Sequence, residues 1–296
     1  MKYILALSCF VLSLELCAQI RVESERDREG NVVLTAINSS MSQYTIQVEF
    51  PVLQNLRVMG GTNLVAVSNP GQTRIGTLKP INENQSSNYS YSFTYVKGSI
   101  YGKSKVDPIY LIPVAEGTEV LGMMMTHLEN TIRPDAKNDM YVGVSFRFDN
   151  ETEIVAPRKG IVVEMEMDRE EGKENLAFDR GENYIEILHP DGTISKIMVL
   201  KGNSQKVELG EEVVPGQVLA ISGGENYENG RHVRMTVTKV EKDSKGKLTN
   251  TIIPVDYFTG AENKKISKAQ KIVVSHPSEI VALELSKKEQ KALGLN

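Results

Sequence analysis

The chain has 296 residues, with 34 Lys and Arg against 38 Asp and Glu, for a formal net charge of −4. At 40% hydrophobic and 24% charged residues it has a globular composition and length enough for two cores. No basic excess exists to coat a phosphate backbone, so a nucleic-acid partner is not expected.

Residues 1–19 (MKYILALSCFVLSLELCAQ) place one Lys ahead of an apolar run from Ile4 to Leu14, with Ala18 at a cleavage position. This is the pattern of an export signal, and the run is short for a membrane span. The other reading is a buried N-terminal strand or helix. Leu16 stands where a lipobox ahead of Cys17 would want Gly, Ala or Ser, which argues against a lipoprotein. Both cysteines, Cys9 and Cys17, lie inside the segment. The mature chain would then have no disulfide, thiolate nucleophile or Cys–zinc site. No later stretch is long and apolar enough to be transmembrane. The expectation is an exported protein, periplasmic or extracellular.

Residues 20–118 read as a β-sandwich-like module. Partial alternation marks 31–37 (NVVLTAI), 44–50 (YTIQVEF) and 73–78 (TRIGTL) as strands. Tyr89, Tyr91, Phe93 and Tyr95 alternate with Ser90, Ser92 and Thr94, which puts four rings on one strand face. That face either packs a core or offers a stacking surface. Residues 119–140 read as a linker, with the packing run Met123–Met125, His127 and the polar stretch 133–139 (RPDAKND).

Residues 141–257 are denser in strand candidates: 142–148, 153–155, 160–167, 183–188, 193–200, 218–221 and 232–237. They are broken by the turn chemistry of 189–193 (HPDGT) and 210–216. The acidic stretch 168–180 reads as a solvated insertion. The tail, 258–296, begins as loop and ends in a helix over 278–295, with Ser278 as its cap.

Four stretches in order carry a resemblance. They are 155–163 (VAPRKGIVV), 183–193 (NYIEILHPDGT), 207–223 (VELGEEVVPGQVLAISG) and 230–237 (GRHVRMTV). Together they resemble the lysostaphin-type (LytM-like) zinc endopeptidases of peptidoglycan. The resemblance implies an all-β LytM-like sheet domain of the duplicated hybrid motif type, following the sandwich-like module. In active relatives a His and an Asp early in the domain and the second His of an H-x-H hold one zinc. The open position carries the attacking water. Two further His act as acid/base and stabilising groups.

Matched residue by residue, the zinc Asp falls at Ser145 and the early His at Tyr141 or in 134–140 (PDAKNDM), which contains no histidine. The ligand His of H-x-H becomes Arg234, a permanent cation. The His of the preceding strand becomes Val199, and His232 alone keeps its family position, as acid/base rather than ligand. The chain has only three other histidines, His127, His189 and His276, and neither an H-E-x-x-H nor a G-x-S-x-G motif. No zinc and no catalytic residue are therefore expected. The resemblance then implies an exported non-catalytic protein that binds a peptidoglycan peptide or an envelope protein. Its former groove would be lined by Tyr141, Ser145, Val199, His232 and Arg234, with Arg234 offering its fork to a peptide carboxylate. A zinc endopeptidase with relocated ligands and a purely structural envelope protein are the alternatives.

Overall fold

The computed structural model describes residues 19–58, 63–125, 142–170, 181–228 and 230–295. The first seven strands are β1 (Ile20–Arg26), β2 (Val32–Asn38), β3 (Tyr44–Gln54), β4 (Leu56–Val58), β5 (Asn63–Ser68), β6 (Gly71–Pro80) and β7 (Asn88–Lys97). They form two sheets, β1-β2-β6-β4 and β5-β3-β7. Between the sheets lie Ile20, Leu34, Ile46, Val48 and Leu78, all nearly inaccessible. Val32, Leu34 and Ala36 alternate with half-exposed neighbours along β2, as one-sided burial requires. The rings of Tyr89, Tyr91 and Phe93 pack against this core. The Tyr91 hydroxyl donates to the Val22 carbonyl, and that of Tyr89 meets Ser24 Oγ. Those three rings of β7 therefore serve packing.

The remaining strands are β8 (Glu119–Met124), β9 (Val144–Arg147), β10 (Glu153–Val155), β11 (Gly160–Glu166), β12 (Tyr184–Leu188), β13 (Ile194–Met198), β14 (Glu212–Val213), β15 (Val218–Ile221), β16 (His232–Lys242), β17 (Leu248–Ile252), β18 (Tyr257–Phe258), β19 (Asn263–Lys264) and β20 (Gln270–Val273). Their main sheet runs β14-β11-β12-β13-β16-β9-β8-β20, with β17 also paired to β16. One face buries Phe146, Ile185, Ile197, Val233 and Met235, which pack with Tyr110, Ile112 and Tyr257. The other face carries Ser145, Tyr184, Glu186, Lys196 and Arg234.

Several boundaries differ from the sequence reading. The expected linker over 119–140 begins instead with β8, which hydrogen-bonds β9 on one side and β20 on the other. Tyr110, Ile112 and Val114 fall within the expected sandwich module but bury their side chains in the second core. Ile266, in the tail expected as loop, and Tyr257, just ahead of it, join that core. Long-range pairing supplies the partners that these short, mixed-polarity segments do not advertise locally. The single C-terminal helix is two, α1 (Ser278–Val281) and α2 (Lys287–Ala292), the second begun by a capping box between Ser286 and Glu289. Residues 1–18 and the stretch holding His127 lie outside the described residues, as does most of the acidic insertion. No helix among the described residues is long and apolar enough to cross a membrane.

The sandwich docks on the second domain through the end of β7. Lys97 bridges Glu164 on β11 and Glu186 on β12, the latter at 2.9 Å. Burial works against the Lys97 charge, but Glu186 and Glu164 outweigh it and hold the amine above its usual range. The backbone closes the contact: Ser99 N–H donates to the Gly192 carbonyl at 3.3 Å. A Cβ on Gly102 would fall 2.3 Å from the Asp191 carbonyl carbon, so only glycine permits this approach.

Candidate functional site

β16 crosses the centre of the large sheet between β13 and β9. Its register sets Arg234 opposite Ser145 on β9 and Met198 on β13, with His232 opposite Arg147. Because side chains alternate along a strand, His232 and Arg234 share a face. Ser145, as the direct cross-strand neighbour of Arg234, shares it too. Val199 follows β13 beside them, so four of the five residues singled out in the sequence come together; Tyr141 lies outside the described residues.

These four do not line an open groove. Ser145, Val199, His232 and Arg234 are each more than nine-tenths buried. Two residues not singled out in the sequence enclose them. Glu182, just before β12, forms an ion pair with Arg234, the side chains being 10% and 7% exposed. Tyr227 donates its hydroxyl to the same carboxylate oxygen, and Arg234 Nη2 reaches that hydroxyl at 3.2 Å. The Tyr227 ring stands edge-on to His232, with centroids 4.9 Å apart. Arg234, expected to face a ligand carboxylate, has a carboxylate of its own chain instead. A buried guanidinium requires such a partner, and the acid preceding NYIEI was the signal that could have found it.

His232 Nδ1 lies 2.8 Å from the Gly230 carbonyl, which can only accept, so Nδ1 carries the proton. Burial, with Arg147 adding to it, holds this imidazole below its ordinary pKa and therefore neutral. Val199 adopts φ 71°, a left-handed conformation rare for a β-branched residue. It is fixed there by its N–H to Asn183 and by its carbonyl accepting from Gly223.

This constellation holds buried charge and places one neutral imidazole beside a phenol. Its donors do not fit a zinc ion. Arg234 cannot lose its proton, Ser145 offers a neutral hydroxyl, and Glu182 is already committed to Arg234 and Tyr227. Among the described residues no three His, Cys, Asp or Glu side chains are grouped to hold a metal.

Residues 139–248 match the family described as Peptidase family M23. This domain belongs to peptidase family M23, the LytM-like group. The M23 domain carries all four stretches on which the resemblance rested. Solved structures of similar fold include the SpoIIQ–SpoIIIAH pore-forming complex, at 21% identity, covering 49% of this chain and 89% of that one, with a TM-score of 0.32. The catalytic domain of lysostaphin from Staphylococcus simulans matches at 22% identity over 39% and 79% of the two chains, with a TM-score of 0.27. Csd3 of Helicobacter pylori matches at 12% identity over 92% and 80%, with a TM-score of 0.32. No curated protein sequence matches the chain.

Proposed function

We propose that the chain is an exported, non-catalytic M23-domain protein that binds a peptidoglycan peptide or an envelope protein at the sheet face bearing Ser145, Val199, His232 and Arg234. The observation that carries this reading is the Arg234–Glu182 ion pair. Where an active relative needs a neutral imidazole on a metal, this chain has a cation neutralised from within. A peptide carboxylate reaches Arg234 only by displacing Glu182, so the surface open to a partner is the polar face around the pair.

Two measurements on the purified mature chain test the proposal. Elemental analysis after equilibration with modest zinc excess and desalting is expected to find almost no zinc. About one zinc per chain would establish a rebuilt metal site and replace this reading with an endopeptidase. Purified sacculi are expected to retain the wild-type chain more strongly than Arg234→Ala, at a temperature where circular dichroism shows both folded. Loss of both proteins from the sacculi would remove peptidoglycan as the ligand.

A further inference from the structure

At the opposite end of β12 and β13 from Arg234, a second buried arginine holds the C-terminal segment. Arg158, in the turn between β10 and β11, is 1% exposed. Its Nη1 donates to the Tyr110 hydroxyl at 2.8 Å and to Asp191 at 3.0 Å, both fixed in the body of the second domain. Its other edge, Nε and Nη2, grips both oxygens of Glu284 at 2.6 Å each. Ser104 Oγ adds a contact to the same carboxylate at 3.2 Å. This is a fork with its plane fixed by Asp191 and Tyr110 and one bidentate edge turned toward the C-terminal segment.

The segment that fills it is otherwise lightly attached. Neither α1 nor α2 buries a residue; between them only Leu285 is enclosed. Lys159 to Glu289, at 2.5 Å, is the remaining ionic tether, and both its side chains are about a quarter exposed. The root of the segment is fixed separately, by His276 N–H to Glu116 and by its ring to the Ile112 carbonyl. Pro277 follows, in extended conformation ahead of α1.

We propose that residues 278–295 are a releasable strap, clamped by Glu284 in a carboxylate-binding position built around Arg158, and that a glutamate side chain of a peptide can take the same position. Asp191 and Tyr110 stay in place when the strap leaves, so the fork remains oriented for another carboxylate. The alternative, a tail held mainly by its own packing, leaves the bidentate contact incidental.

Hydrogen exchange on the full chain separates the two. Hydrogen bonds to a charged group are worth about 1.5–3 kcal/mol, so Glu284→Gln should raise exchange across 278–295 by about tenfold or more. Exchange in β12 and β13 should stay unchanged. A synthetic copy of residues 278–295 should bind the Glu284→Gln chain more tightly than the wild type, and a copy carrying Gln at 284 should not. An excess of the unaltered copy should also raise strap exchange in the wild-type chain, which needs no variant to fold. Unchanged strap exchange in Glu284→Gln would overturn the proposal. So would equal effects of the two peptides.

Discussion

Arg234 on the central strand β16 and Glu182 just before β12 neutralise each other with both side chains about nine-tenths buried. Removing one member strands the other charge in a low-dielectric site, which costs about 3–5 kcal/mol. Glu182→Leu should therefore lower the urea midpoint sharply. The double variant Arg234→Met, Glu182→Leu should recover most of the loss. A double variant no more stable than the single one would show that the pair is not the stabilising unit.

His189 gives an acid-dependent prediction. Its ring is enclosed between the Lys159 carbonyl and Ser195 Oγ, at 2.8 and 2.7 Å. Burial first, and the nearby Arg158 second, push its pKa down from 6.5 to about 3. Between those values the unfolded chain takes up a proton that the native state refuses. Stability is thus fully present above 6.5 and falls as the pH drops toward 3. His232 and His276, both lowered by burial, add in the same direction. Asp191, whose burial is outweighed by Arg158 so that its pKa lies below 3.8, adds its loss only beneath that value. Denaturation midpoints measured from pH 7 to 4 should decline, and less steeply in His189→Gln.

Lys97 stands between Glu164 and Glu186, which face each other across β11 and β12. Lys97→Met would leave two like charges directly opposed and part-buried. The expected loss is about 1–3 kcal/mol. A double-mutant cycle with Glu186→Gln should show coupling, because the second change removes the repulsion left by the first. Strict additivity would contradict the bridge.

Gly102→Ala forces a Cβ into the Asp191 and Gly192 backbone, and Gly192→Ala places one 2.1 Å from the Ser99 carbonyl oxygen. Either should part the sandwich from the M23 domain, read as faster tryptic cleavage at Lys103 and Lys105. Gly117→Ala is the control for Gly192→Ala: its φ of 81° matches the 80° of Gly192, but its Cβ would meet nothing within 4 Å. Equal cleavage in Gly117→Ala and Gly192→Ala would assign the Gly192 effect to strain rather than to the contact.

Much of this architecture is legible in the residues. Alternation marked β2, β3, β6 and β7, and the turn at 189–193 framed β12 and β13. Strands β8 and β20 are not legible because each is short: β8 is defined by its pairing with β9 and β20, and β20 by its pairing with β8. The Ser286-x-x-Glu289 signature that begins α2 and splits the final helix stands in the residues themselves. At the site, the family frame placed Ser145, Val199, His232 and Arg234 together. It gave no view of Glu182 or Tyr227, because nothing in a linear pattern says which carboxylate will answer a buried guanidinium. Arg158 and Glu284, 126 positions apart, were hidden for the same reason.

The contact of Gly102 with Asp191 has a consequence for how this chain could change. Where these two backbones touch no side chain intervenes, so that part of the seam has no adjustable surface. Transplanting either half onto a homologous partner would require the recipient to supply a glycine and a matching turn at that spot. A recombinant joining unrelated versions should fail at this seam before it fails in either core.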